Sequence, residues 1–281
     1  MTNASADDSA QSKIFAGNRA VGRIALAVEA AAGGSRPARV HESGSLRVRF
    51  PNGAIRGVLD AVIVNTAGGV TGGDRLAIDI AVGAGARLAV TTAAAEKIYR
   101  SLGPDSEIGI KLEVGSGAAL AWLPQETIVF DHARLRRSID VELKRDASLI
   151  LAEAVVLGRA AMGEVVVNGR IFDRWRVRID GALAFAEGVR LDDDIAQRLA
   201  ERATANGGSA IASVLRIPGD TAAVAAVRRI AETCAGEIGV SAWNGVALAR
   251  LVASDGAALR RDLFGVVAAL SGMPLPRLWL N

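Results

Sequence analysis

Residues 77–92 read AIDIAVGAGARLAVTT. The same layout returns without a gap at 109–124, GIKLEVGSGAALAWLP, and at 138–153, SIDVELKRDASLILAE. A shorter copy, residues 174–187, RWRVRIDGALAFAE, lacks two positions at its centre. Each copy alternates apolar and polar residues, crosses a short Gly- or Asp-containing turn, and alternates again. Period-two alternation broken by turn residues specifies strands and not helix. Self-similarity at a fixed spacing specifies units that stack on one another. The expected fold is therefore mainly β, a β-helix-like stack of strands.

The phase of the alternation carries a further expectation. The inward residues of the first halves are Ile78/Ile80/Val82, Ile110/Leu112/Val114, Ile139/Val141/Leu143 and Trp175/Val177/Ile179. Those of the second halves are Leu88/Val90, Leu120/Trp122, Leu149/Leu151 and Leu183/Phe185. Two residues further in the same phase stand Thr92, Pro124, Glu153 and Glu187. Two equivalent rungs thus point a glutamate along the core face, where a carboxylate must be protonated, paired or bound to a cation. The other reading, and the commoner arrangement, is that both lie at strand ends open to solvent.

Upstream, residues 45–50 alternate as a half-buried strand, Pro51-Asn-Gly53 is a turn signal, and residues 58–64 form a largely buried strand. That strand leads into residues 65–74, NTAGGVTGGD, in which Gly68, Gly69, Gly72 and Gly73 precede Asp74. The run matches neither the P-loop nor the dinucleotide-binding pattern, and a strand follows it where phosphate binding needs a helix start. A second Gly-framed loop, residues 157–164, carries Arg159 and Glu164, a combination that usually makes a local ion pair. Past Glu187 the texture changes. A short helix is expected from Asp192, a strand at 209–217, a helix capped by Asp220 or Thr221 and running to about 235, a strand at 243–252, and an amphipathic helix at 257–270. No linker-like break is visible. We expect a disordered tail at 1–12 and one domain over 13–281, with β rungs at about 45–190 and a mixed α/β part at about 191–281.

Composition narrows the function classes. Lys and Arg number 33 against 30 Asp and Glu, without a basic tract, which argues against nucleic-acid binding. One cysteine, Cys234, excludes an intramolecular disulfide and any cysteine metal cluster. The two histidines, His41 and His132, have no zinc-ligand spacing, and no Gly-x-Ser-x-Gly elbow supports a Ser-His-Asp hydrolase. Asp7 and Asp8 stand where a secretory signal needs basic residues, and no apolar run has the length of a membrane span, so a cytoplasmic protein is expected. Asp74, Glu96, Glu153, Glu164 and Glu187 are the carboxylates beside Gly loops or at rung ends. Oxygen ligands without thiolates suit a hard or borderline cation held loosely.

Four stretches resemble signatures of the urease accessory protein UreD family, called UreH in some organisms. They are NTAGGVTGGD at 65–74, TT…KIYRS at 91–101, LPQETIVF at 123–130 and LGR…GE at 157–164. The resemblance is strong over about 40–190 and general beyond. Ala121 departs from it, since relatives often carry an acid there, and so does Glu96, where a small residue is frequent. The resemblance implies a non-enzymatic protein with a β-helix-like fold and a few helices. It implies direct binding to accessory protein F, to the GTPase accessory protein G through F, and to urease apoprotein. It implies delivery of Ni²⁺ through a water-filled tunnel, with nickel as a transient passenger and no tightly bound cofactor. Asp74 and Glu187 match tunnel-lining acids, and Glu153 and Glu164 join them on the rung and loop arguments. Gly68, Gly69, Gly72, Gly73, Lys97, Tyr99, Arg100, Gln125 and Arg159 are expected in structural or partner-binding roles. Two other readings stand beside this one: a carbohydrate-active β-helix enzyme using paired carboxylates, and an interaction scaffold without metal contact.

Overall fold

In the computed structural model, residues 18–51, 57–101 and 103–280 are described. The expected tail at 1–12 and part of the Pro51-Asn-Gly53 turn lie outside them. Two antiparallel pairs precede the repeats: β1 (Val21–Ala31) with β2 (Gly34–Gly44), and β3 (Leu46–Arg49) with β4 (Leu59–Asn65). Each sixteen-residue copy then supplies one strand to each of two facing sheets. The first gives β5 (Arg75–Val82) and β6 (Arg87–Thr92), followed by the short β7 (Glu96–Ile98). The second gives β8 (Ser106–Val114) and β9 (Ala119–Trp122), followed by β10 (Thr127–Val129), and the third gives β11 (Arg134–Leu143) and β12 (Ser148–Leu157).

The stacking is parallel and in register, which puts like on like. Ile24, Ile78, Ile110, Ile139 and Trp175 form one inward ladder across the first sheet. Ala61, Val90, Trp122 and Leu151 form another across the second. The turns stack too: the Ala119 and Ser148 amides donate to the Ala86 and Ala118 carbonyls, each at 2.9 Å. A third, short flank closes each coil, where β7 pairs in parallel with β10, β10 pairs in parallel with the end of β12, and Val70 bridges to Ile98. Buried Val70, Ile98, Val129 and Leu157 run along it. The solenoid-like stack expected from the repeats is the observed fold.

The fourth copy departs from it. β13 (Arg170–Ile179) continues the first sheet in parallel, but β14 (Ala182–Asp192) folds back antiparallel in that same sheet and never reaches the second. The two missing residues are the cause. They leave Asp180 and Gly181 as a two-residue loop, both at positive φ (48° and 79°), the geometry of a tight hairpin turn. Leu183, expected in the core, is therefore 52% exposed. Phe185 and Glu187 keep the inward phase for a different reason, because they lie opposite Val177 and Trp175.

The C-terminal part is α1 (Ile195–Ala200), β15 (Ala210–Ile217), α2 (Thr221–Ala231), β16 (Glu237–Trp243), β17 (Val246–Ala253) and α3 (Gly256–Leu270). The strand expected at 243–252 is β17 from Val246 onward; its first residues are the end of β16 and the Asn244-Gly245 turn that joins the two strands in a hairpin, and the helix expected to reach about 235 ends at Ala231. β15 and β17 extend the second sheet antiparallel beyond β12. Asp220 accepts from the Ala223 amide, and Asp255 accepts from the Ala257 and Ala258 amides, so both longer helices are capped. α3 lays Leu259, Leu263, Val266, Val267 and Leu270 onto the outer face of the second sheet, where small Ala89, Ala121 and Ala152 let it approach. Ala121 thus faces the helix layer and not the space between the sheets. Among the described residues no helix is long and apolar enough to cross a membrane.

Candidate functional site: a charged cavity at the end of the stack

Because β14 turns back, the last coil lacks a rung in the second sheet. A cavity of about 360 Å³ opens there between β13–β14 on one side and β12, β15 and β17 on the other. Its charged lining is Arg137, Glu153, Asp173, Glu187, Arg190 and Arg250. The sequence expectation thus brings Glu153 and Glu187 to one space, although they arrive from different sheets.

Arg137 sits inward on β11, directly opposite Asp173 on β13. One guanidinium nitrogen, Nη1, donates to Glu153 Oε2 and to Thr127 Oγ1 (3.2 Å), and Nη2 donates to Asp173 Oδ2. Trp122 Nε1 donates to the other oxygen of Glu153 at 2.8 Å. Arg137, Glu153 and Asp173 are 4%, 5% and 8% exposed. Burial alone disfavours the Arg137 charge, yet the two carboxylates more than offset it and hold the guanidinium above its usual range. Burial pushes the Glu153 carboxyl up; Arg137 opposes that shift and Asp173 adds to it. Glu187 is held more loosely. Its Oε1 accepts from Arg250 Nε at 3.4 Å and Ser213 Oγ at 3.5 Å, while Arg250 Nη2 lies 3.3 Å from Oε2. Among the described residues, three buried polar atoms here lack a hydrogen-bond partner: Arg137 Nε, Asp173 Oδ1 and Glu187 Oε2.

The other carboxylates lie elsewhere. Asp74 is 4% exposed, and its two oxygens accept the Ala20 and Thr71 amides, each at 2.8 Å, so it closes the Gly-rich loop and anchors the start of β1. Glu164 makes the local pair anticipated with Arg159, at 2.7 and 3.1 Å, and receives the Asp131 amide at 3.4 Å. Neither lines the cavity. Among the described residues, no group of three or more His, Cys, Asp or Glu side chains gathers at metal-binding geometry.

The four signature stretches converge on the third flank. Tyr99 donates to the Gly68 carbonyl at 3.1 Å and meets the Phe130 ring edge-on at 5.0 Å. Arg159 stacks over the other part of that cluster, 4.2 Å from the Phe130 centroid. Gly69, at φ 146°, packs so closely that a Cβ would lie 2.3 Å from the Tyr99 ring. Thr71 Oγ1 donates to the Arg100 carbonyl at 3.0 Å, and Lys97 is exposed beside them. Gln125 is different: it reaches the Leu278 carbonyl at 3.4 Å and helps seat the C-terminal segment. Glu96 lies against Asn65, with Asn65 Nδ2 3.2 Å from both carboxylate oxygens. Burial pushes its carboxyl up to about 7, against the lowering effect of the Asn65 and Lys97 hydrogen bonds.

Arg137 and Asp173 were not singled out in the sequence, though a signal was there. Each stands two residues before an inward residue, Ile139 and Trp175, so the same phase run backward places a charge on the core face. Ser213 and Arg250 had no such signal, because β15 and β17 lie outside the repeats.

A family model described as UreD urease accessory protein matches residues 20–280. A protein of Rhodopseudomonas palustris strain HaA2 named urease accessory protein UreD is 55% identical over 272 residues, covering 97% of each chain. Another of that name from Bradyrhizobium diazoefficiens is 53% identical over 97% of this chain and 98% of its own. A Bradyrhizobium relative from strain ORS 278, named urease accessory protein UreD 1, is 50% identical over the same shares.

Proposed function

This chain belongs to the UreD family of urease accessory proteins, and from that membership we infer that it is a non-enzymatic scaffold that conducts Ni²⁺ to the urease active site. A role in urease maturation follows from the family. The finer reading is that the protein binds accessory protein F directly, the GTPase G through F, and urease apoprotein, in the cytoplasm, with nickel as passing cargo.

One observation carries the passage. Glu153 and Glu187 border a single cavity at the end of the stack, with buried carboxylate oxygens that lack a hydrogen-bond partner at Asp173 and Glu187. Sparse oxygen donors hold a borderline divalent ion weakly enough to let it leave. Glu187 is the first contact in this reading and Glu153 the second. Asp74 and Glu164 enter only as further contacts, because they lie outside the cavity that Glu153 and Glu187 border. The commitment of Glu153 to Arg137 and Trp122 also supports a non-catalytic role, since a glycosidase acid or nucleophile must be free to exchange protons or attack.

The test is urease activation in cells that supply apourease, F and G with Glu187→Ala in this chain. We expect activation to fall by about tenfold or more while the complex still co-purifies. Full activation by the variant rejects the passage at Glu187. Nickel-loaded, active urease in cells lacking this chain rejects the maturation role itself.

A further inference from the structure

The inward row of the first sheet does not require a charge at Arg137. The inward row that contains it reads Leu76, Ile108, Arg137, Asp173 across β5, β8, β11 and β13, so its two nearest predecessors are apolar. Aliphatic residues in place of Arg137 and Asp173, with a neutral residue at Glu153, would continue that row without any buried charge. A buried ion pair is weak evidence for stability, since well-packed apolar residues in its place are often as stable. What the guanidinium does is electrostatic: it supplies one fixed positive charge between two buried carboxylates at the wall of the cavity.

We propose that Arg137 is a built-in counter-cation. It occupies the position between Glu153 and Asp173 that a divalent cation would otherwise take, and so keeps the cavity from retaining the ion that enters it. Three features support this. The partners are oxygen donors of the kind that ligate hard and borderline divalent ions. Asp173 Oδ1 is buried, has no hydrogen-bond partner, and belongs to a carboxylate that borders the cavity. A guanidinium is not deprotonated in a protein, so its charge cannot be titrated away when the ion approaches. With Arg137 in place, Glu153 and Asp173 together offer an incoming cation a net single negative charge; without it they offer two. The proposal rests on the nickel-passage reading only for the identity of the ion.

The experiment is equilibrium dialysis of the purified full chain against Ni²⁺ alone. Arg137→Gln should bind Ni²⁺ about tenfold or more tighter than the unaltered chain. Arg137→Lys, which keeps the charge, should stay near the unaltered affinity, and adding Asp173→Asn to Arg137→Gln should remove the gain. If Arg137→Gln does not accumulate as folded protein, Ni²⁺ in the refolding buffer should restore it. A folded Arg137→Gln with unaltered Ni²⁺ affinity overturns the proposal. So does an equal gain in Arg137→Lys, or an Arg137→Gln that stays insoluble with and without Ni²⁺. The readout is independent of urease activation: full activation by Glu187→Ala would reject the passage and leave this binding result to decide Arg137.

Discussion

Arg137 and Glu153 form an ion pair in which each partner is no more than 5% exposed, and Asp173 holds the other end of the same guanidinium. Breaking such a pair leaves a buried charge without compensation. In the absence of metal, Arg137→Gln should destabilise the protein by about 3–5 kcal/mol, read as a lower urea midpoint. The triple variant with Glu153→Gln and Asp173→Asn should recover most of that loss, because no uncompensated charge remains.

Glu96 gives a pH dependence whose sign follows from its raised carboxyl. In the unfolded chain it ionises near 4.5, whereas in the fold burial holds the proton to about 7. Its contribution is fully present below 4.5 and is lost as pH rises toward 7. Glu96→Gln should therefore match the unaltered chain at acidic pH and be more stable at pH 8, by about 2–3 kcal/mol. Urea midpoints across that range check it; an equal difference at both ends would show that the titration is not the cause.

Asp74 makes a prediction that separates structure from transport. Its oxygens accept two backbone amides that hold the Gly-rich loop to β1. Asp74→Ala should cost about 1–3 kcal/mol, since two buried donors lose their acceptor. An Asp74→Ala protein of unchanged stability that fails in activation would instead place this carboxylate on the nickel route.

Gly69 and Tyr99 are coupled by close approach. An alanine at 69 would have to shift the Tyr99 ring from 2.3 Å and adopt φ 146°. Gly69→Ala should cost about 2–3 kcal/mol, in part from backbone strain. Adding Tyr99→Ala should recover the steric part and not the strain, which a double-mutant cycle measures.

Much of the architecture was legible in the residues. The three gapless copies specified strand, turn and stack, and their phase specified which side chains face inward, because a period of two leaves no other choice once one face is buried. The fourth copy shows where analogy fails. Asp180-Gly181 carries its own hairpin signal, and turn chemistry overrode the resemblance to its neighbours. Asn244-Gly245 did the same inside a segment expected as one strand. β1 alternates as clearly as any repeat, with Ile24, Leu26 and Val28 buried, whereas β2 is polar and largely exposed and offered no period to find.

The sequence by itself determined the stacked β class, the family motifs and the inward phase of Glu153, since all three are properties of local order along the chain, whereas Glu187 faces inward because the β14 hairpin sets it opposite Trp175. Only the tertiary structure decided what those glutamates meet. The hairpin turn of β14 put Glu187 in the opposite sheet from Glu153 and left the last coil one rung short, and that missing rung is the cavity. Arg137 and Asp173 come from two neighbouring coils and Arg250 from a strand outside the repeats, so their meeting is a matter of strand register and sheet order, which no spacing along the chain expresses.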